Sequence, residues 1–190
     1  LIPTAVIIAL ILPWKSDNRH TVFYWIVAFG LAGLTVSISK ILFLGFGIGS
    51  ARFNFTGFSG HSAMSATLWP VMLWLISGRW SAMWRIAAIG VGYLIPLMVG
   101  FSRLVIHAHS KSEVVTGLLL GFTLSTAFLI SQRRTSLKGF SWPQVGAALL
   151  VPFVLMSHGR VATTQQFLER FAASLAGMEK PYTRADLFRQ

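Results

Sequence analysis

The sequence predicts an all-α fold, a polytopic transmembrane bundle of about six spans, and three observations carry that reading. Hydrophobic residues fill 54% of the 190 positions and charged ones only 11%, a balance too apolar for a soluble domain of this size; the mean hydropathy is +0.67. The apolar residues gather into six runs, at 1–13, 21–44, 63–77, 83–106, 114–131 and 145–157, against the roughly 20 residues that a helix needs to cross the hydrocarbon layer. Basic residues concentrate in alternate loops between these runs, the pattern that fixes membrane orientation.

Taken in chain order, the first run has no basic stretch before it and no small-residue cleavage site after it, so it reads as a span and not as a signal peptide. The second and fourth are comfortably long. The first, third and last are short, and cross only with help from flanking residues or local bilayer thinning. Lys15 and Arg19 follow the first run, Arg79 and Arg85 the third, and Arg133, Arg134 and Lys138 the fifth. These loops share one side, cytoplasmic by the positive-inside rule. The opposite, extracytoplasmic side carries 45–62, 101–113 and the tail from His158. Trp14, Trp25, Trp69, Trp80, Trp84 and Trp142 stand mostly near run ends, where interfacial anchors belong.

The chain divides into a transmembrane domain, 1–158, and a tail, 159–190. Within the tail Val161, Phe167, Leu168, Phe171 and Leu175 recur at near-helical spacing, which fits an amphipathic helix lying in the interface and equally a packed terminal helix.

The formal charge of +11, from 16 Lys and Arg against 5 Asp and Glu, is dispersed between apolar runs. Dispersal of this kind fits membrane topology together with a site for an anion better than it fits a nucleic-acid groove. The chain has no Cys, which excludes disulfides, thiolate chemistry and Cys-ligated metal and leaves His, Ser, Thr or a carboxylate as nucleophile.

Two outer loops concentrate polar groups. Phe58-Ser59-Gly60-His61-Ser62 precedes the third run; Ser59 is placed to cap a helix, Gly60 permits close backbone approach, and the free N–H groups of a helix start attract an anion. The second loop reads Ser102-Arg103-Leu104-Val105-Ile106-His107-Ala108-His109-Ser110-Lys111-Ser112-Glu113. His109 and Glu113 are four apart and share a helix face, so the carboxylate can hold one imidazole nitrogen and present the other as a nucleophile. Arg103 offers a planar fork for phosphate oxygens. His107 points to a different face and takes a structural position. Lys40, inside the second run, is a functional candidate or a snorkelling side chain, and Arg52 follows it in the outer loop. Gly45, Gly47 and Gly49 have no βαβ context and serve the turn, not a nucleotide.

Ser59-Gly60-His61, and Ser102-Arg103 followed by His109 and an acid at 113, resemble the second and third signature motifs of the type 2 phosphatidic acid phosphatases, the superfamily that also includes vanadium haloperoxidases and bacterial acid phosphatases. The family usually has Pro where this chain has Phe58 and Asp where it has Glu113. Its first motif, Lys followed after six residues by Arg-Pro, is altered here, since eleven residues separate Lys40 from Arg52 and Phe53 follows.

The resemblance implies that His109 attacks phosphorus and becomes a phosphohistidine, oriented by Glu113, while His61 protonates the leaving oxygen and then activates water. Arg103, Ser59, Gly60, Lys40 and Arg52 would bind the phosphoryl oxygens at the extracytoplasmic helix ends. It implies no cofactor and no metal. It implies a phosphorylated lipid and the bilayer as partners, and the loop charge and absence of Cys fit a location in a bacterial inner membrane. The same intermediate would serve a lipid phosphotransferase. From other classes, the two histidines could ligate haem in a membrane electron carrier, or the chain could be an inactive scaffold.

Overall fold

The structure, a computed structural model, describes residues 1–141, 143–146, 150, 154, 162–178 and 180–188. Among them the regular elements are helices: α1 (Ile2–Lys15), α2 (Thr21–Phe46), α3 (Gly60–Ile76), α4 (Ala82–Val105), α5 (Lys111–Ser131), α6 (Ala162–Leu175) and the short α7 (Arg184–Leu187).

Three of these, α2, α4 and α5, are long and apolar enough to cross a membrane, as in an integral membrane protein. Predicted as six, the spans are not all matched: α1 has 14 residues and α3 has 17, and the run 145–157 lies largely outside the described residues. α3 is short for a physical reason. It is the axis of the bundle, packed by α4, α5 and α2, and its buried residues include Ser62, Ala63, Ala66, Leu68, Val71 and Trp74. A helix shielded by its neighbours need not match the hydrocarbon thickness, which constrains the helices that face lipid.

Small residues let the helices approach α3 closely. A Cβ on Gly92 of α4 would lie 2.8 Å from Pro70 Cα, one on Gly117 of α5 would lie 2.8 Å from the Ser59 carbonyl oxygen, and one on Gly121 would collide with the Ala63 carbonyl and the Ala66 methyl. Dispersion and close backbone approach of this kind hold helices together where lipid supplies no hydrophobic drive. Trp25 departs from its reading as an interfacial anchor: it is 1% exposed, its Nε1 donates to the Ala5 carbonyl at 2.9 Å, and Phe128 meets its ring edge-on.

The two ends of the bundle differ. At one, Thr21 Oγ1 donates to Gln132 Oε1 at 2.6 Å, Lys15 Nζ donates to the Gly139 carbonyl at 3.0 Å, and Gly139 abuts Arg79, so the three basic loops meet. The other end gathers the C-termini of α2 and α4 and the N-termini of α3 and α5. Here α2 stops at Gly47, whose φ of 67° is a left-handed conformation that glycine adopts without strain. The chain then turns between Ser50 and Phe55, paired by reciprocal N–H to carbonyl bonds of 2.9 Å, and Gly57, at φ 139°, lays the backbone on Ser39 and Lys40. Against this end α6 packs on α2: Leu168 and Ala172 join Phe43, Leu44 and Leu187 in a second core. Phe167 and Leu175 stay exposed, so the tail helix is amphipathic and packed.

The α3/α5 seam yields a paired prediction. Gly121→Val places a branched side chain against backbone atoms that cannot yield, and is expected to destabilise by about 1–3 kcal/mol. At Gly90 no atom lies within 4 Å of the point where a methyl group would stand, so Gly90→Ala is expected to be neutral or stabilising by up to about 1 kcal/mol. Thermal denaturation of both variants in detergent, beside the unsubstituted protein, reads the contrast.

Candidate active site

The site is built at the end where α2, α3, α4 and α5 converge. Ser110 caps α5: its hydroxyl accepts from the Glu113 N–H at 3.3 Å, and Glu113 Oε2 accepts from the Ser110 N–H at 3.2 Å, a reciprocal capping box. This cap fixes Glu113 in the first helical turn, and one turn earlier stands His109. The His109 Nδ1 lies 2.8 Å from Glu113 Oε2. An ionised carboxylate only accepts, so Nδ1 carries a proton, and in the neutral imidazole the lone pair is then on Nε2.

Glu113 is completely buried, and its neighbours explain how it remains ionised there. Its Oε1 accepts from the Thr56 N–H at 2.8 Å and the Thr56 hydroxyl at 2.6 Å. The Arg184 Nη2 lies 2.8 Å from both carboxylate oxygens. Buried anions persist when charge and hydrogen bonds together replace lost water. Sequence reasoning missed Arg184 altogether: it is 71 residues from Glu113, in a tail whose pattern signalled only an apolar face. The one available hint was that Glu113, in an outer loop poor in carboxylates, needed a cation.

Ser59 is the N-cap of α3, fully buried, with its Oγ accepting from the Ser62 hydroxyl at 2.9 Å. Its N–H donates to the Glu113 carbonyl at 3.0 Å, which ties the starts of α3 and α5 together. Gly60 and His61 are the first residues of α3. His61, ahead of the apolar run 63–77, is half-buried; burial first, then the charges of Arg103, His109 and Lys40, push its imidazole down to about 4. The same neighbours identify the surroundings of His61 as a positive field. Arg103 sits in the last turn of α4, its Nε donating to Ser102 Oγ at 3.3 Å.

A cleft of about 470 Å³ opens beside His109, with Lys40, Thr56, Gly57, Glu169 and Arg184 in its walls. Lys40 Nζ donates to Gln165 Oε1 of α6 at 2.8 Å, so its ammonium is held by the tail. Arg52 is exposed with its guanidinium over the Phe53 ring at 5.6 Å. His107 is exposed at φ 53° in the turn that ends α4. The structure thus brings His109, Glu113, His61, Arg103 and Lys40 to one end of the bundle and leaves Arg52 on the rim.

Such a set gathers cationic side chains and two imidazoles at one end of the bundle, groups of the kind that bind an oxyanion and exchange protons. Comparison with known proteins meets this geometry from outside. Residues 21–136 match the family model described as PAP2 superfamily. A Klebsiella pneumoniae protein described as "Uncharacterized 22.5 kDa protein in cps region" is 43% identical over 193 residues, spanning 100% of this chain and 92% of that protein. No solved structure matches. The matched segment runs from the start of α2 through the end of α5 and contains both histidines, Arg103 and Glu113, and on that ground the chain belongs to the PAP2 superfamily.

Proposed function

We propose that this protein is a membrane lipid phosphate or pyrophosphate phosphatase that works without metal through a phosphohistidine. The observation that carries the reading is the His109–Glu113 pair: a buried carboxylate holds the proton on Nδ1 of a histidine that lines a cleft, which supports Nε2 as the nucleophile. Membership of the PAP2 superfamily gives phosphatase-type chemistry, and the geometry supports this distribution of roles.

His109 Nε2 attacks phosphorus as the bond to the lipid oxygen breaks, and that oxygen takes a proton from His61. His61 is unprotonated at rest because burial and nearby cations oppose its charge. A bound phosphate dianion cancels that field, which allows His61 to carry the proton it donates. Water then attacks the phosphohistidine, His61 takes the water's proton, and inorganic phosphate leaves with Nε2 restored. Arg103, the start of α3 at Ser59 and Gly60, and Lys40 balance the charge gathering on the equatorial oxygens, with Arg52 at the rim. The apolar α2, α4 and α5 support a substrate whose chains stay in the bilayer, and the clustering of the basic loops at the far end supports a site on the extracytoplasmic face. The haem reading draws no comparable support, since His61 and His109 stand at the starts of α3 and α5, at the end of the bundle, and not at facing positions within it.

The test is phosphate release by the detergent-purified protein with EDTA present, from phosphatidic acid, phosphatidylglycerol phosphate, undecaprenyl pyrophosphate and lipid A 1-phosphate. Release that persists in EDTA and falls by roughly 10²–10⁴-fold in His109→Ala and His61→Ala is expected; release abolished by EDTA, or untouched by His109→Ala, contradicts the mechanism. Transfer to a second lipid in place of release identifies the phosphotransferase.

A second expectation separates the two histidines. With p-nitrophenyl phosphate, whose leaving group needs no proton, His61→Ala should still complete the first step and accumulate acid-labile phosphoprotein. His109→Ala should incorporate no label. Equal labelling of the two variants would remove the nucleophile from His109.

A further inference from the structure

The family match ends at residue 136, yet the Glu113 carboxylate is completed from residue 184. The segment that delivers Arg184 is well fastened. The Tyr182 N–H donates to the Leu44 carbonyl at 2.8 Å, so the chain leaving α6 is pinned to the end of α2. Asp186 Oδ2 accepts from the Thr183 N–H at 2.8 Å and the Thr183 hydroxyl at 2.6 Å, closing α7 around its own N-terminus. Leu187 is 3% exposed in the core shared with Phe43, Leu44, Leu168 and Ala172. Arg184 then faces inward. Its Nη1 donates to Asn54 Oδ1 at 2.6 Å, and its Nη2 reaches Glu113 Oε1 and Oε2 at 2.8 Å each.

Charge balance gives this contact a chemical consequence. The Glu113 carboxylate is fully buried and has two cationic or potentially cationic partners, Arg184 and His109. Without the guanidinium, the stable forms of a buried carboxylate beside an imidazole are the imidazolium–carboxylate pair and the neutral acid. The first removes the lone pair of Nε2; the second replaces a fixed acceptor with a group that also donates. With Arg184 in place the anion is already balanced, and His109 can remain neutral with its proton on Nδ1.

We propose that Arg184 is a positioning residue for phosphoryl transfer, acting through Glu113 to keep His109 neutral and aimed, so that the docked C-terminal tail is a working part of the site. The inference rests on the phosphatase reading above and deepens it. Arg184 differs in this from Arg103, proposed to bind phosphate directly: loss of a phosphate contact weakens binding of the substrate, whereas loss of a positioning contact slows the chemical step.

The experiment measures kcat and KM for phosphate release from the best lipid of the panel, using full-length protein in detergent. The set comprises the unsubstituted protein, Arg184→Gln, Glu113→Gln, their double variant, and Arg184→Lys with either Glu or Gln at 113. Arg184→Gln is expected to lower kcat by roughly 10- to 100-fold, the scale on which removing an outer partner of a working histidine acts, with KM within about twofold. In the Glu113→Gln background the same substitution is expected to cost nothing further, because the group it acts through is gone. An unchanged kcat in Arg184→Gln, or losses that multiply in the double variant, overturns the inference. If Arg184→Gln does not elute as folded protein, Arg184→Lys carries the test, since it keeps the charge and one donor. Its kcat should fall less than tenfold with Glu113 present and not at all with Gln at 113; a fall of tenfold or more with Glu113 present, or a fall in both backgrounds, overturns the inference. Absence of release from the unsubstituted protein overturns the phosphatase reading itself, an outcome distinct from an active protein indifferent to residue 184.

Discussion

A carboxylate buried beyond reach of water has to be surrounded, and the end of this bundle is organised around the surrounding of Glu113. Three separate pieces of chain supply the donors. Ser110 and His109 come from the start of α5, Thr56 from the loop after α2, and Arg184 from the tail. Each donor commits its own segment: the capping box sets where α5 begins, Thr56 sets the loop that leads into α3, and Arg184 sets where the tail lies. The Ser59 N–H on the Glu113 carbonyl adds the start of α3. Since an unpaired buried charge costs several kcal/mol, these placements depend on one another, and a loose loop here would be far more expensive than one on the rim.

That arrangement requires α3 and α5 to be close, and the seam between them is where the sequence makes room. Gly117 and Gly121 let the α5 backbone lie on the carbonyls of Ser59 and Ala63. The same approach that packs the helices therefore brings the N-terminus of α3, with its unsatisfied N–H groups, beside the imidazole pair. Packing and electrostatics are one decision at this end. At the opposite end the buried polar contacts of Thr21 and Gln132 close the bundle without any ionised carboxylate in them, which leaves the chemistry to one side.

How much of this could be read from the chain follows the range of the interactions. The His109–Glu113 pair was legible because four residues on a helix fix a contact in space, and the Ser59 cap because it precedes an apolar run by a fixed step. The all-helical character was legible from the length of the apolar runs. α3 was harder: apolar composition announces burial, and burial by lipid and burial by other helices look the same in one dimension. Trp25 misled for the same reason, being near a run end yet turned toward Ala5 and Phe128. Arg184 was illegible because nothing local in residues 180–188 reports a carboxylate 71 positions away. Lys40 was readable as a candidate, but its bond to Gln165 of α6 was not.

Lys40 and Arg184 together bear on the altered first motif and on the site proposed above. Both belong to the wall of the cleft beside His109, and both are held by polar groups that involve the tail, Lys40 through Gln165 and Arg184 as part of the tail itself. A cation fixed by a neutral amide keeps its full charge for an incoming phosphate, whereas a cation bonded to a carboxylate has spent most of its field. The two basic groups are thus divided by partner: Arg184 balances the buried Glu113 carboxylate, and Lys40, hydrogen-bonded to an uncharged amide, is the cation proposed to meet the substrate. Glu169 tempers this from one turn beyond Gln165, accepting from the Gln165 amide at 2.9 Å. It places the amide so that its oxygen faces Lys40, and the tail helix thereby orients the cation without neutralising it by direct contact.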